Sequence, residues 1–289
     1  MGADACYGDD ADMTTPKFGG SWTKEKLDIL ERYLDSYTTA LKNQPFNLIY
    51  VDGFAGAGSY RESGSDYEEF HELRQGSARI ALEIDDKPFD RLIFVEKDKD
   101  RAKSLRKLAP EHHRRLIQVV QGDANTEVTR FCETMQSRDR AVVFLDPHAT
   151  EVAWTTIEAI AGTQKIDCWI LFPRMAITRM MPNAKEPNEA TAMRLDCIFG
   201  GREHWQESYQ DSVQLSLIGD GPTRERESSP QIADRYRKRL STQFSAVAEP
   251  RRTLMNSKNA PLFELFFAAG NPNGASIALR MADCILKNW

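Results

Sequence analysis

Asn47-Leu-Ile-Tyr-Val-Asp-Gly-Phe-Ala-Gly-Ala-Gly58 decides how the rest of the chain is read. Leu48 to Val51 is an apolar run of strand length, Asp52 closes it, and Gly53, Gly56 and Gly58 follow at once. Such a run ending in a glycine turn predicts a buried parallel strand. In an open α/β sheet, ligands sit at the carboxyl ends of these strands, and glycines let the backbone approach them closely. Three nucleotide loops compete for the pattern. The dinucleotide fingerprint wants a small residue three positions beyond its second glycine, where Arg61 stands. The phosphate loop has the right glycine spacing at Gly53 and Gly58, but Ser59-Tyr60 follows where Lys and Ser/Thr are required. Asp52 would also repel a phosphate. What remains is a ligand with a cationic group and a ribose, against the plainer reading of a glycine turn after a core strand.

S-adenosylmethionine carries both an ammonium and a sulfonium. The order Asp52-Gly-Phe-Ala-Gly-x-Gly58 resembles the first motif of class I methyltransferases, in the Asp-x-Phe-x-Gly-x-Gly form of nucleic-acid enzymes. The bulk of the chain is compatible with that. Its 289 residues and 41% hydrophobic content suit one α/β domain with an insertion. No apolar run approaches the ~20 residues that span a membrane, and no secretory signal is evident. Cys6, Cys132, Cys168, Cys197 and Cys284 are scattered, form no Cys-x-x-Cys pair and predict no metal site. A cytoplasmic location with free thiols is expected. The net charge of −5 means that nucleic-acid binding would need a local basic patch.

Residues 1–20 are small and acidic and predict a disordered tail; 21–289 predict the folded domain. Ser21 opens a helix with Leu27, Leu30, Leu34, Tyr37 and Leu41 on one stripe. Beyond the glycine loop, Ser59 to Gln75 is polar and long enough for a lid or a plain insertion. A helix near Ala78 to Ile84 precedes a regular alternation. Arg91–Val95, Leu116–Val120, Ala141–Leu145 and Cys168–Phe172 read as strands; Asp98–Leu108, Ala124–Met135 and Trp154–Ile160 read as helices. This predicts a mostly parallel, Rossmann-like sheet with right-handed crossovers, which the likeness to class I methyltransferases implies has seven strands. Residues 174–228 break the rhythm and predict an inserted cap with short helices near Glu189–Phe199 and Glu203–Tyr209. Ser229-Pro230 reads as a cap and first turn of a helix to Leu240. Phe263–Ala268 predicts an antiparallel strand, and Ala275–Leu286 the last helix.

Four consecutive strands end in acids: Asp52, Glu96, Asp123 and Asp146. Together they would line the ligand-binding edge of the sheet. Asp52 would hold the cofactor ammonium, directly or through water, with Gly53, Phe54, Ala55, Gly56 and Gly58 giving backbone around it. Glu96, with Lys97 beside it, would accept from both ribose hydroxyls, and Asp123 from the adenine amine next to the Ala124 N–H. Capping of the following helices is the competing role for such acids, and Asp98 is placed for it. Asp146-Pro147-His148 ends the strand where the methyl group would be presented. A carboxylate and the Pro147 carbonyl can orient an acceptor nitrogen and stabilise the charge that develops on it. Nitrogen-directed nucleic-acid methyltransferases have a similar Asp-Pro-Pro-aromatic motif; here His148 and Ala149 replace its last two residues. His148 would stack on a base, act as one, or face solvent.

The chain as a whole resembles the three-Cys-motif partner family. The matching stretches are Tyr50–Gly58, Gly76-Ser77, Phe94–Glu96, Gly122–Asn125, Phe144–Pro147, Val152–Trp154, Phe172-Pro173, Ile177–Arg179 and Phe263–Ala269. The family reads Asp-Pro-Tyr-Gly where this chain has Asp146-Pro147-His148-Ala149. The resemblance implies a methyltransferase-like fold, a prokaryotic setting tied to mobile elements or phage, and a neighbouring partner protein similar to radical-SAM enzymes. Basic residues cluster at Arg101–Arg115 and Arg235–Arg239, which solvated helix faces also explain. Arg174 and Arg179, beside the expected acceptor, are candidate substrate contacts. Two functions remain open: methyl transfer to a nitrogen of a nucleic acid, and a cofactor-fold binding module that serves a partner. A nuclease is disfavoured, because Glu96-Lys97-Asp98 lacks a lysine two residues after the acid.

Overall fold

The computed structural model describes residues 21–56, 59–60, 74–84, 86–108, 115–183, 185–212 and 223–288. The tail, Gly58 and most of the 59–75 segment lie outside them. In chain order the elements are α1 (Ser21–Leu41), β1 (Asn47–Asp52), β2 (Ser59–Tyr60), β3 (Arg74–Gln75), α2 (Ser77–Glu83), β4 (Arg91–Glu96), α3 (Lys99–Leu108), β5 (Leu116–Gln121) and α4 (Ala124–Thr134). There follow β6 (Asp139–Leu145), α5 (Trp154–Gly162), β7 (Ile166–Phe172), α6 (Arg174–Met180), α7 (Glu189–Phe199), α8 (Arg202–Gln206), β8 (Tyr209–Ser212) and β9 (Thr223–Arg226). The chain closes with α9 (Ser229–Leu240), β10 (Ala246–Val247), β11 (Arg252–Met255), β12 (Pro261–Ala269) and α10 (Ala275–Lys287).

Strands β7-β6-β1-β4-β5 run parallel in that order, and β12 joins antiparallel beside β7. The free side of β12 pairs with both β10 and β11, which run antiparallel to it. Ala268 pairs with Val247 and Leu265 with Arg252, so the two short strands share one position. The sheet therefore has seven positions built from eight strands. This is the Rossmann-like class I methyltransferase arrangement with a reversed strand near the C-terminus.

The pleat sends alternate side chains to opposite faces. Leu48, Tyr50, Leu92, Phe94 and Trp169 meet the buried stripe of α1 and the apolar sides of α2 and α10. Ile49, Val51, Ile93, Val143 and Ile170 meet α4, α5 and α9. α7 joins this second layer through Ala192, Leu195, Ile198 and Phe199, and Phe199 meets Tyr236 edge-on at 5.7 Å. The insertion is thus packed on one face of the sheet. Besides the two expected helices it holds α6 and the β8–β9 hairpin. α7 ends at Gly200, where a φ of 75° requires glycine and an added Cβ would sit 2.2 Å from Trp154 Cδ1. Among the described residues, no helix is long and apolar enough to cross a membrane.

Several boundaries differ from expectation. The second cap helix is the short α8, Arg202–Gln206, with Tyr209 opening β8 instead of closing that helix, and β6 and β7 each start two residues earlier than read. The N-cap of α9 is Ser228, not Ser229, and Pro230 falls within the first turn. Gln231, three residues after Ser228, completes a capping box by accepting from the Ser228 N–H at 2.9 Å.

Candidate active site

The order β6-β1-β4-β5 puts Asp146, Asp52, Glu96 and Asp123 side by side along one edge. β1 lies where the strand order reverses, the position at which open α/β sheets bind ligands. Register shapes the crevice there. Asp52 pairs with Phe94 on one side and Phe144 on the other, so Glu96 and Asp146 each stand two residues further out. The floor is therefore roughly 6–7 Å below its walls, at about 3.3 Å per residue.

The glycine turn crosses this floor. Gly53 N–H donates to the Phe144 carbonyl at 3.0 Å and Ala55 N–H to the Val95 carbonyl at 3.0 Å, tying the turn to both walls. A Cβ on Gly53 would meet Leu145 Cδ2 at 2.9 Å, and Gly56 adopts φ 63°, so both positions favour glycine. Asp52 is fully buried beneath the turn. It accepts from the Phe54 N–H at 3.1 Å and from the Tyr50 hydroxyl at 3.3 Å. The carboxylate thus braces the turn from below. Burial pushes its pKa up to about 7, and the nearby Asp146 adds to this; hydrogen bonds from Ser77, Phe54 and Tyr50 offset part of the shift.

Glu96 is buried and accepts from the Asp98 N–H at 2.8 Å. Asp98 caps α3 as expected, accepting from the Asp100 and Arg101 N–H groups at 3.0 and 2.9 Å. Lys97 is exposed and Ala124 buried at the start of α4. Asp123 caps α4 through Oδ1, which accepts from Asn125 and Thr126 at 3.0 and 3.3 Å. The competing capping role is thus realised on one oxygen. Arg101 crosses the crevice: its Nε lies 3.8 Å from Glu96 Oε1 and its Nη1 3.1 Å from His148 Nε2. His148 is exposed, and its N–H donates to Glu151 Oε2 at 3.0 Å. Pro147 is buried.

Two residues that the strand-end reasoning missed organise the acceptor side. Lys26 of α1, buried, donates from Nζ to Asp146 Oδ2. Asn125 pins the loop after β6: its Oδ1 accepts from Ala153 N–H and Thr156 Oγ1 at 2.9 and 2.8 Å, and its Nδ2 donates to the Glu151 carbonyl at 2.8 Å. Arg174 has a different role from the expected substrate contact. Its Nη1 donates to the fully buried Glu264 at 2.6 Å and its Nε to Ser229 Oγ at 2.7 Å, so it joins α6 to β12 and α9. Arg179 is exposed on α6.

Another buried acid lies at the opposite end of the sheet. Asp167 accepts from the Tyr33 hydroxyl at 2.8 Å, and burial raises its pKa to about 7. Unfolded, Asp52 and Asp167 ionise near the ordinary 3.8; folded, near 7. Between those values the native state holds more protons, so stability falls as pH rises, by ~1.4 kcal/mol per unit for each group, and levels off above 7. The urea midpoint is expected to drop from pH 5 to pH 7.5, and to drop less steeply in Asp167→Asn. A midpoint that rises across this window would contradict the assignment.

No family model matches the chain, and no curated protein does. The resemblance to the three-Cys-motif partner family therefore rests on the quoted residues alone. Among solved structures, the Legionella pneumophila protein LPL1258 is similar at TM-score 0.45 and 13% identity, over 91% of this chain and 90% of that one. A provisionally named methyltransferase of Escherichia coli, yhhF, gives 0.32 and 14%, over 68% and 86%. Spermidine synthase from Thermotoga maritima gives 0.40 and 9%, over 87% of this chain and 61% of its own. These are likenesses of shape; what the site does follows from its own residues.

Proposed function

We propose that the chain binds S-adenosylmethionine in the crevice above β1 and transfers its methyl group to a nitrogen held at Asp146. The observation that carries this reading is the ordered row of carboxylates around a notch with a glycine floor. The donor set suits the cofactor. Glu96 stands on a wall where ribose hydroxyls would donate to it, and Asp123, whose Oδ2 accepts no hydrogen bond from the described residues, would take the adenine amine beside the start of α4. Gly53 and Gly56 offer backbone without side-chain bulk, in a turn braced by Asp52. Bound there, the cofactor supplies an electrophilic methyl group on a sulfonium. Asp146 and the Pro147 carbonyl accept the N–H bonds of the acceptor and aim its lone pair, so catalysis is mostly positioning with charge stabilisation. The acceptor in this reading is a nitrogen of a nucleic acid, in a prokaryotic, mobile-element setting.

A second reading has one observation in its favour. Asp146 is already paired with Lys26, which competes with an acceptor for the same carboxylate. The fold would then hold the cofactor while serving a three-Cys-motif, radical-SAM-like partner. Transfer of label from methyl-tritiated cofactor into a pool of mixed-sequence oligonucleotides separates the two. Labelled oligonucleotide supports the enzyme; cofactor binding without transfer to any pool supports the module.

A further inference from the structure

The N-terminal end of α1, its first two turns, lies over the carboxyl ends of the strands on the acceptor side. Three contacts hold it there. Lys26 donates to Asp146, Glu25 pairs with Arg252 of β11, and Trp22 packs on Phe263 of β12 with ring centroids 5.1 Å apart and planes inclined by 35°. Lys26 Nζ also lies 4.9 Å from the centre of the Trp22 ring. The indole is thus one ammonium away from the carboxylate that would orient an acceptor. Trp22 and Phe263 are partly exposed, whereas Tyr33, Tyr50, Phe89, Phe94, Trp169 and Phe267 of the same layer are fully buried. The indole has Phe263 against it and the Lys26 ammonium over its ring, and its remaining exposed part is what a flat ligand would meet.

Charge narrows the ligand further. Lys26 already balances Asp146, so a cationic alkylamine gains little from the carboxylate and is repelled by the ammonium. A neutral exocyclic amine on an aromatic ring meets neither penalty. It can donate an N–H to Asp146, as cytosine N4 does to acids, while its ring stacks on an aromatic side chain. On the methyl-transfer reading above, we propose that this end of α1 is the acceptor subsite, that Trp22 is its stacking face and Lys26 its positioning residue, and that its occupant is a nucleobase.

The test uses the full chain saturated with S-adenosylhomocysteine and a fluorescein-labelled, mixed-sequence single-stranded 12-mer, followed by anisotropy. Trp22→Leu keeps apolar packing on Phe263 without a π face, and Trp22→Phe keeps both. Stacking on one base predicts a loss of at least about fivefold in oligonucleotide affinity for Trp22→Leu. Trp22→Phe should stay within about threefold of the wild type, with S-adenosylhomocysteine affinity unchanged in both. Equal binding by Trp22→Leu and wild type, or no binding by wild type, overturns the subsite. Equal losses in both variants also overturn it, because they mark a packing role. Competition by free adenosine, cytidine or guanosine assigns the base to a nucleoside; competition only by unlabelled oligonucleotide assigns it to a polymer. Lys26→Met should change acceptor KM and the pH profile of transfer while leaving cofactor affinity alone; an unchanged profile removes Lys26 from the proposal. Failure of S-adenosylhomocysteine to bind, with Trp22-dependent oligonucleotide binding intact, would sink the cofactor reading and leave the subsite standing.

Discussion

Glu264→Ala is expected to lower folding stability by about 3–5 kcal/mol, the range for breaking one partner out of a buried ion pair. Glu264 is fully buried in β12, opposite Phe172 of β7. Its Oε1 accepts from Arg174 at 2.6 Å, and its Oε2 from Arg251 Nε at 3.2 Å and Thr253 Oγ1 at 2.9 Å. Arg251 in turn pairs with Asp234 of α9, and Arg174 with Ser229. One carboxylate thus joins β12 to β11, α6 and α9. Its removal takes the buried carboxylate partner from two mostly buried guanidinium groups and an acceptor from one hydroxyl. Urea unfolding monitored by tryptophan fluorescence measures the cost, and a loss below about 1 kcal/mol would show that the network relaxes without it.

Asp146→Asn is expected to cut the rate of methyl transfer by about 10²–10³-fold, the usual effect of removing one preorganised electrostatic contact to a developing charge. The change keeps the shape of the side chain but removes the charge that answers both Lys26 and the acceptor nitrogen. Cofactor affinity should stay within about threefold, because the expected cofactor groups face Glu96, Asp123 and the glycine turn rather than Asp146. Single-turnover transfer alongside a binding titration separates the two quantities. Transfer within threefold of wild type would take Asp146 out of the chemistry and favour the binding-module reading.

Much of this architecture was legible because it rests on local patterns. Apolar runs closed by an acid or glycine marked β1, β4 and β6, and the Glu189–Phe199 periodicity matched α7 at both ends. What escaped depends on tertiary partners. β10 and β11 are too short and mixed to read as strands, and exist by pairing with β12. Arg174 sits just past the active edge in sequence, which suggested a substrate contact; the Glu264 that claims it is 90 residues away. Two signals were present and unread. Ser228 with Gln231 spells a capping box, whereas Ser229 has no such partner. Lys26 falls at helical spacing with Leu30, Tyr33 and Tyr37, on the buried stripe of α1. A charge on such a stripe demands a buried counter-charge, and Asp146 supplies it. Asp52 shows a subtler limit. Its place at the strand tip was readable, but the register that sinks it two residues below Glu96 and Asp146 was not.

Calorimetric titration of the folded chain with S-adenosylmethionine, repeated on Glu96→Ala, tests the cofactor site most directly. Saturable one-to-one binding, weakened at least tenfold by Glu96→Ala, is the expected result. No heat of binding up to low-millimolar cofactor, or equal binding by both proteins, would contradict a cofactor site above β1.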